Sequence, residues 1–325
     1  MNHRMFASVA VLAAVSAVFP FASLFGQAPS SKAATGAAAN WTPPRTPWGD
    51  PDLQGIWSYA TTTPLERPAE FAGKEFLTEE EAAARDAEAE AGADAPPKAG
   101  DPGTYNAVWF DRGRTASNRR TSLIIDPADG RLPPFTPDAK RKRDARAAYL
   151  KEHPADSWLD RPLADRCIMY HGVPPLPTGY NNTYQIFQIP GYVAILDENI
   201  HDVRMIPLDG RPHIGEDIRY WNGDSRGRWE GNTLVVETRN YRPDTKLRFP
   251  SSEHTHAVER YTRAGPDLVE LRFTIDDPTV YTRPWTALLP MTRMEGKIYE
   301  YACHEGNRSM EGILGGARAK ENAAK

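Results

Sequence analysis

Between Tyr180 and Glu305 the chain alternates apolar and polar positions in short runs separated by turn-forming residues. Period-two segments read as Thr183–Ile189, Gly191–Glu198, His201–Pro207, Thr233–Arg239, Ala257–Ala264, Asp267–Ile275, Arg283–Leu289 and Lys297–His304. About eight short strands at this spacing predict an antiparallel barrel or sandwich rather than a βαβ sheet. Trp229-Glu230-Gly231-Asn232-Thr233 and Gly265-Pro266-Asp267 read as hairpin turns, an order that suits a mainly β, up-and-down barrel. A closed barrel of this size encloses one small ligand. Glu259, Tyr261 and Arg263 share one face of their strand, and Val258, Arg260 and Thr262 share the other. Neither face is cleanly apolar, which leaves room for a polar interior.

The preceding residues pattern differently. Leu53–Tyr59 and Ser122–Asp126 read as short strands. Thr78 followed by Glu81 forms a capping box, which predicts a helix to about Glu90. Gly92–Gly103 reads as a linker. Thr136-Pro137-Asp138 supplies a cap and a proline at the first helical position, for a helix to about Lys151. Pro174-Pro175-Leu176-Pro177 predicts a stiff entry loop. The organisation expected is a signal segment over 1–33, a smaller α-containing N-terminal extension over 34–160, the barrel over 161–310 and a tail over 311–325.

The expectation for 1–33 rests on Arg4 followed by the apolar run Phe6–Phe25 and then small residues, the order of a secretory signal. Cleavage after Ala28 or after Ala33 fits, and an uncut anchor is the alternative. The mature chain is expected to be exported, periplasmic or secreted, with no later membrane span. The formal net charge of −4 over 325 residues argues against nucleic acid as a partner. Lys140–Arg143 reads as a solvated helix face. Only Cys167 and Cys303 occur, and in an oxidising compartment they most simply form one disulfide, tying the barrel entry to its last strand. A redox pair is the alternative.

No nucleophile elbow, Walker loop, dinucleotide fingerprint or His-Glu-x-x-His is present, so no cofactor is expected. Polar clusters at strand ends remain. His201 in Glu198–Arg204 is a candidate general base, because an imidazole titrates near pH 6.5. His254 and His256, spaced i, i+2, either line a polar pocket with Glu253 or chelate a divalent metal with His201 or His304. His304 follows Cys303, either exposed at a strand end or at the barrel rim. Trp221–Trp229 reads as a loop able to approach a ligand, with Arg226 as a carboxylate clamp, Asp224 as its ion partner, and Trp221 and Trp229 as stacking surfaces. Tyr180 and Asn182 at the mouth of the first strand, and Arg204 one strand on, complete the candidate ligand contacts.

Four segments together carry a resemblance: Asp50–Trp57, Ile206–His213, Gly223–Thr233 and Tyr299–Asn307. They resemble an essentially uncharacterised family of exported bacterial proteins, across most of the mature chain. The resemblance implies a shared architecture and carries no catalytic assignment across. Gly55-Ile56-Trp57 is also similar to the Gly-x-Trp that opens the first strand of lipocalin-like (calycin) barrels. Two functions follow as expectations. One is an exported enzyme performing metal-free acid–base chemistry, a lyase or hydrolase acting on a small polar or aromatic molecule through His201, His256, His304, Glu253 and Arg226. The other is a non-catalytic binder of a hydrophobic or sugar-like ligand.

Overall fold

The computed structural model describes residues 41–93, 111, 113–115, 117–323 and 325. The signal segment with its cleavage positions, and most of the linker, lie outside them. The strands are β1 (Gly55–Ser58), β2 (Ile124–Asp126), β3 (Thr183–Ile189), β4 (Tyr192–Asp197), β5 (Val203–Pro207), β6 (Asp224–Glu230), β7 (Thr233–Arg239), β8 (His256–Gly265), β9 (Leu268–Asp276) and β10 (Trp285–Arg293). The helices are α1 (Glu79–Ala93), α2 (Pro137–Glu152) and α3 (Ser309–Ala323).

The sheet runs β5-β4-β3-β1-β10-β9-β8-β7-β6, with β2 pairing to the side of β10. The mainly β antiparallel barrel is thus present, with nine strands along its path rather than eight. Strand β1 stands between β3 and β10 and joins two meanders into one sheet. Both expected helix caps form: Thr78 Oγ1 accepts from the Glu81 amide at 3.2 Å, and Thr136 Oγ1 accepts from the Ala139 amide at 3.1 Å.

Alternation along each strand decides what enters the core. In β9 Val269, Leu271, Phe273 and Ile275 are fully buried, as are Trp285, Ala287, Leu289 and Met291 in β10. The matching inward face of β8 presents Ala257, Glu259, Tyr261 and Arg263. A fully buried carboxylate, Glu259, therefore sits beside the apolar inward faces of β9 and β10.

Pairing direction explains where the barrel fails to close. Every neighbouring pair on the path is antiparallel, so an odd number of strands leaves the two end strands, β5 and β6, running parallel. Parallel neighbours need a crossover of a dozen or more residues, and residues 208–223 supply it. No β5–β6 ladder forms; side chains close one end of the seam instead. A Cβ built on Gly227 would lie 2.7 Å from Ile206 Cγ2 and 2.6 Å from Leu208 Cδ2, so these two side chains fill the space that glycine leaves.

Three expectations are corrected. Asp224–Glu230, read as loop, is strand β6; its inward positions are Ser225, Gly227 and Trp229, which carry no apolar alternation. Lys297–His304 forms no strand, because β9 takes one edge of β10 while β1 and β2 take the other. The 311–325 tail, for which no secondary structure is expected either way, lies mostly in helix α3. The Cys167–Cys303 disulfide is present, but it ties the barrel entry to the segment before α3 rather than to a last strand.

Candidate functional site

The seam opens at the end away from Gly227 into a cleft of about 400 Å³, within the range of small-molecule sites. One wall is Asp202 with Val203–Met205 of β5 and the other is Tyr220–Ser225, where the crossover enters β6. Met169–Val173 and Tyr184, Ile195, Asp197, Asn199 and Ile200 complete it. Gly172 (φ +78°) passes so close to Leu247 that an added Cβ would meet its side chain at 2.7 Å. Tyr241 Oη donates to the Val173 carbonyl at 2.8 Å and anchors the same segment.

Two buried polar networks meet at the cleft. In the first, Tyr59 Oη lies 2.8 Å from His171 Nδ1 and 3.4 Å from Asp197 Oδ1, and His171 Nδ1 is 3.3 Å from the same carboxylate oxygen. His171 Nε2 is 3.0 Å from Thr178 Oγ1, which donates to the Tyr180 carbonyl. Both imidazole nitrogens thus have protein partners. Burial, reinforced by Asp197, pushes the Tyr59 hydroxyl well above its ordinary value, so Tyr59 stays a donor at neutral pH. Asp197 Oδ1 also accepts from the Asn199 amide at 3.2 Å, while no described residue engages Oδ2. The Asp197 side chain keeps 15 % of its surface exposed.

The second network crosses the barrel interior. Arg204 Nη1 donates to Glu259 Oε2 at 2.5 Å, and Arg204 Nη2 donates to Glu259 Oε1 at 3.2 Å and Tyr261 Oη at 2.9 Å. Tyr261 Oη donates to Glu259 Oε1 at 2.7 Å. Burial alone would lower the Arg204 pKa, but Glu259 and Tyr261 outweigh it and keep the guanidinium charged.

Asn199 stands apart. It is 3 % exposed, lines the cleft, and its carboxamide makes no hydrogen bond among the described residues through either oxygen or nitrogen. Each buried polar atom left unpaired costs about 1–3 kcal/mol. The next residue, Ile200, has φ +62° and ψ 14°, a left-handed conformation that β-branched residues avoid. An unpaired amide beside a strained backbone is an arrangement that clusters at ligand sites. Across the cleft, Asn222 donates to Asp202 while its own carbonyl oxygen has no partner.

Of the sequence candidates, Arg204, Trp221 and Asp224 line this cleft. Asp224 is engaged by His213 Nδ1 at 2.8 Å and by Arg226 at 2.7 Å. The proposed catalytic set does not assemble. His256 lies on the outward face of β8, 2.9 Å from Glu237, because Ala257 and Glu259 face inward. There, burial and Arg239 lower its pKa despite Glu237. His254 occupies the turn before β8, so the i, i+2 pair does not project from one strand. His304 is exposed in the turn after Cys303, and the Glu253 carbonyl accepts from Arg219 at 3.1 Å. Arg226 faces outward from β6 and donates to the Pro212 carbonyl at 2.9 Å. His201 ends the turn Asn199–His201, and its side chain lies outside the described residues.

Among the ligand candidates, Asn182 is fully buried and spends its side chain on Asp111 and Thr178, so it holds the entry loop. Tyr180 stacks on Tyr170 with centroids 5.8 Å apart. Trp229 packs inward against the core. Among the described residues, no cluster of three or more His, Cys, Asp or Glu side chains is arranged to hold a metal.

Asp197 was within reach of sequence reasoning, since period two places it on the face of Val193 and Ile195. Nothing in the pattern marks His171, Tyr59 or Asn199, which lie outside strand interiors. No family model and no curated protein matches the chain. The resemblance to an exported bacterial family therefore rests on its four segments alone. Among solved structures, a secretary abundant heat soluble (SAHS) protein from Ramazzottius varieornatus matches at 14 % identity, covering 45 % of this chain and 84 % of that one. Its TM-score of 0.25 is too low to assign a role. The nearly closed antiparallel barrel is itself consistent with the weaker calycin-like similarity.

Proposed function

We propose that the protein binds a small molecule bearing hydroxyl or amide groups in the seam cleft. The observation that carries this reading is Asn199, whose buried, unpaired carboxamide offers one donor group and one acceptor to whatever enters. Asp197 Oδ2 and the Asn222 carbonyl add acceptors, and the edge of Arg204 adds a donor. Tyr184 and Trp221 provide flat apolar surface. Saturation-transfer NMR against a panel of monosaccharides, polyols and aromatic amides tests it, with wild type compared to Asn199→Leu. Transfer to a panel member in wild type that the variant loses supports the proposal. Equal transfer in both proteins, or none to any member, overturns it.

A catalytic version, metal-free acid–base chemistry of the elimination or hydrolysis type, is supported by Asp197. Its Oδ1 is fixed by the Asn199 amide and backed by Tyr59 and His171, while Oδ2 is left for a proton. General-base catalysis contributes roughly 10²–10⁴-fold. Release of nitrophenol from nitrophenyl glycosides and esters should therefore fall at least 100-fold in Asp197→Asn. No turnover by wild type, or an unchanged rate in the variant, rejects this version and leaves binding. Export is part of the proposal too. It rests on the apolar segment Phe6–Phe25 and on a disulfide of the kind that persists in oxidising compartments. Among the described residues, no helix is long and apolar enough to cross a membrane.

A further inference from the structure

The outward faces of the two meanders differ in chemistry. On β6 to β9 the outward positions include Arg228, Glu230, Glu237, Arg260, Glu270 and Arg272, with Glu230 ion-paired to both Arg228 and Arg260. On β3 to β5 the outward positions are Gln185, Phe187 and Ile189, then Tyr192, Ala194 and Leu196, then Val203, Met205 and Pro207, without a single charge. Cross-strand register aligns Phe187 with Ala194 and Met205, and Leu196 with Val203, so the apolar side chains form one continuous stripe. Phe187 is 44 % exposed, Ile189 54 %, Val203 53 % and Met205 51 %. Exposed large side chains scattered singly are ordinary, whereas a contiguous uncharged face marks a surface that meets something apolar.

The cleft indicates what that is. Val203 and Met205 belong both to this stripe and to the wall of the seam cleft. Tyr220, 53 % exposed, stands on the opposite lip. A molecule held at Asn199 can therefore leave the cleft over the apolar surface of Val203 and Met205, beside the Asp202 carboxylate. The floor favours a neutral, hydroxylated group over an anion, because Asp197, Asp202 and Asp224 line the cleft while its one lining guanidinium, Arg204, is already neutralised by Glu259.

On the reading that the seam cleft binds a polar group, we propose that its ligand is an amphiphile. The hydroxylated head sits at Asn199 and Asp197, and a single apolar chain lies out over Val203 and Met205 toward Phe187. Each buried methylene contributes roughly fourfold in affinity, so even a partly covered chain gives a large effect.

The test is calorimetric titration with octyl β-D-glucoside below its micellar concentration and with methyl β-D-glucoside, which shares only the head. Wild type, Met205→Glu, Phe187→Glu and Asn199→Leu are compared. Because Met205 and Phe187 are about half exposed, their substitutions leave the core intact, and circular dichroism verifies this. The octyl compound is expected to bind at least tenfold more tightly than the methyl one. Met205→Glu should remove most of that advantage and Phe187→Glu part of it, and Phe187→Glu, which lies outside the cleft, should not alter methyl glucoside binding. Asn199→Leu should weaken both compounds. Equal affinity for the two glucosides, or an octyl advantage that survives Met205→Glu, rejects the amphiphile while leaving the cleft reading in place. Binding of both that is indifferent to Asn199→Leu, or no binding of either, overturns the cleft reading and the amphiphile together.

Discussion

Asn199 and Glu259 are both buried polar side chains, yet they have opposite energetic standing. Glu259 is satisfied by Arg204 and Tyr261, so removing it strands a charge. Glu259→Leu is expected to cost about 3–5 kcal/mol in urea unfolding, and adding Arg204→Met should recover most of that. Asn199 has no such partner. Asn199→Leu should raise stability, by about 1–3 kcal/mol, while abolishing ligand binding; a loss of stability would show that the carboxamide serves the fold. The contrast also separates what was legible in the sequence from what was not. Alternation placed Glu259 with Tyr261 and Arg263 on one face, and the structure turns that face inward. Asn199 occupies a three-residue turn with a left-handed Ile200, which no periodicity encodes.

Among the elements, β3 and β7 were legible to the residue because turn-forming residues bound each run, Asn181-Asn182 and Pro190-Gly191 for β3, Gly231-Asn232 and Asn240 for β7. Strand β6 was not. Its inward positions are supplied from β5, since Ile206 and Leu208 fill the room above Gly227, and sequence patterns do not record a side chain borrowed from another strand. Gly227→Val should accordingly force β5 and β6 apart, at a cost of about 1–3 kcal/mol in thermal or urea unfolding. Helix α3 escaped notice for a different reason: Gly312, Gly315 and Gly316 each lower helix propensity, and the helix is held by tertiary contacts such as Arg318 to the Ala155 and Asp156 carbonyls. The cleft was half visible. Arg204, Trp221 and Asp224 lay in patterned or conspicuous segments, whereas the segment bearing His171 is positioned by Gly172, Leu247 and Tyr241, far apart in the chain.

At the scale of the whole molecule, five buried tyrosines set the alkaline limit. Burial raises the hydroxyls of Tyr59, Tyr184, Tyr241, Tyr261 and Tyr281 above their ordinary value of 10.0. Their folded pKa values exceed the unfolded one, so their contribution is complete below about pH 10 and is lost as pH rises past it. Unfolding free energy should decline above that pH, and the share of tyrosinate absorbance that belongs to these five side chains should appear together with unfolding rather than before it. At the other end of the chain's constraints, the disulfide closes a loop of 136 residues, for which chain entropy gives about 5 kcal/mol. Reduction should lower the urea midpoint accordingly, and Cys167→Ala with Cys303→Ala should reproduce the loss.

The odd strand number has a mechanical consequence. A barrel laced all round resists opening because every path outward breaks a rung of hydrogen bonds. This one is a split ring: among the described residues no backbone hydrogen bond joins β5 to β6, so widening the gap slides Ile206 and Leu208 over Gly227 and breaks no rung. The ring can flex at its gap while the eight ladders between β5 and β6 stay intact. Hydrogen exchange should register this as fast amides along the facing edges of β5 and β6 beside slow ones in β8, β9 and β10, and a bound ligand should slow the fast ones by bridging the gap like a clasp.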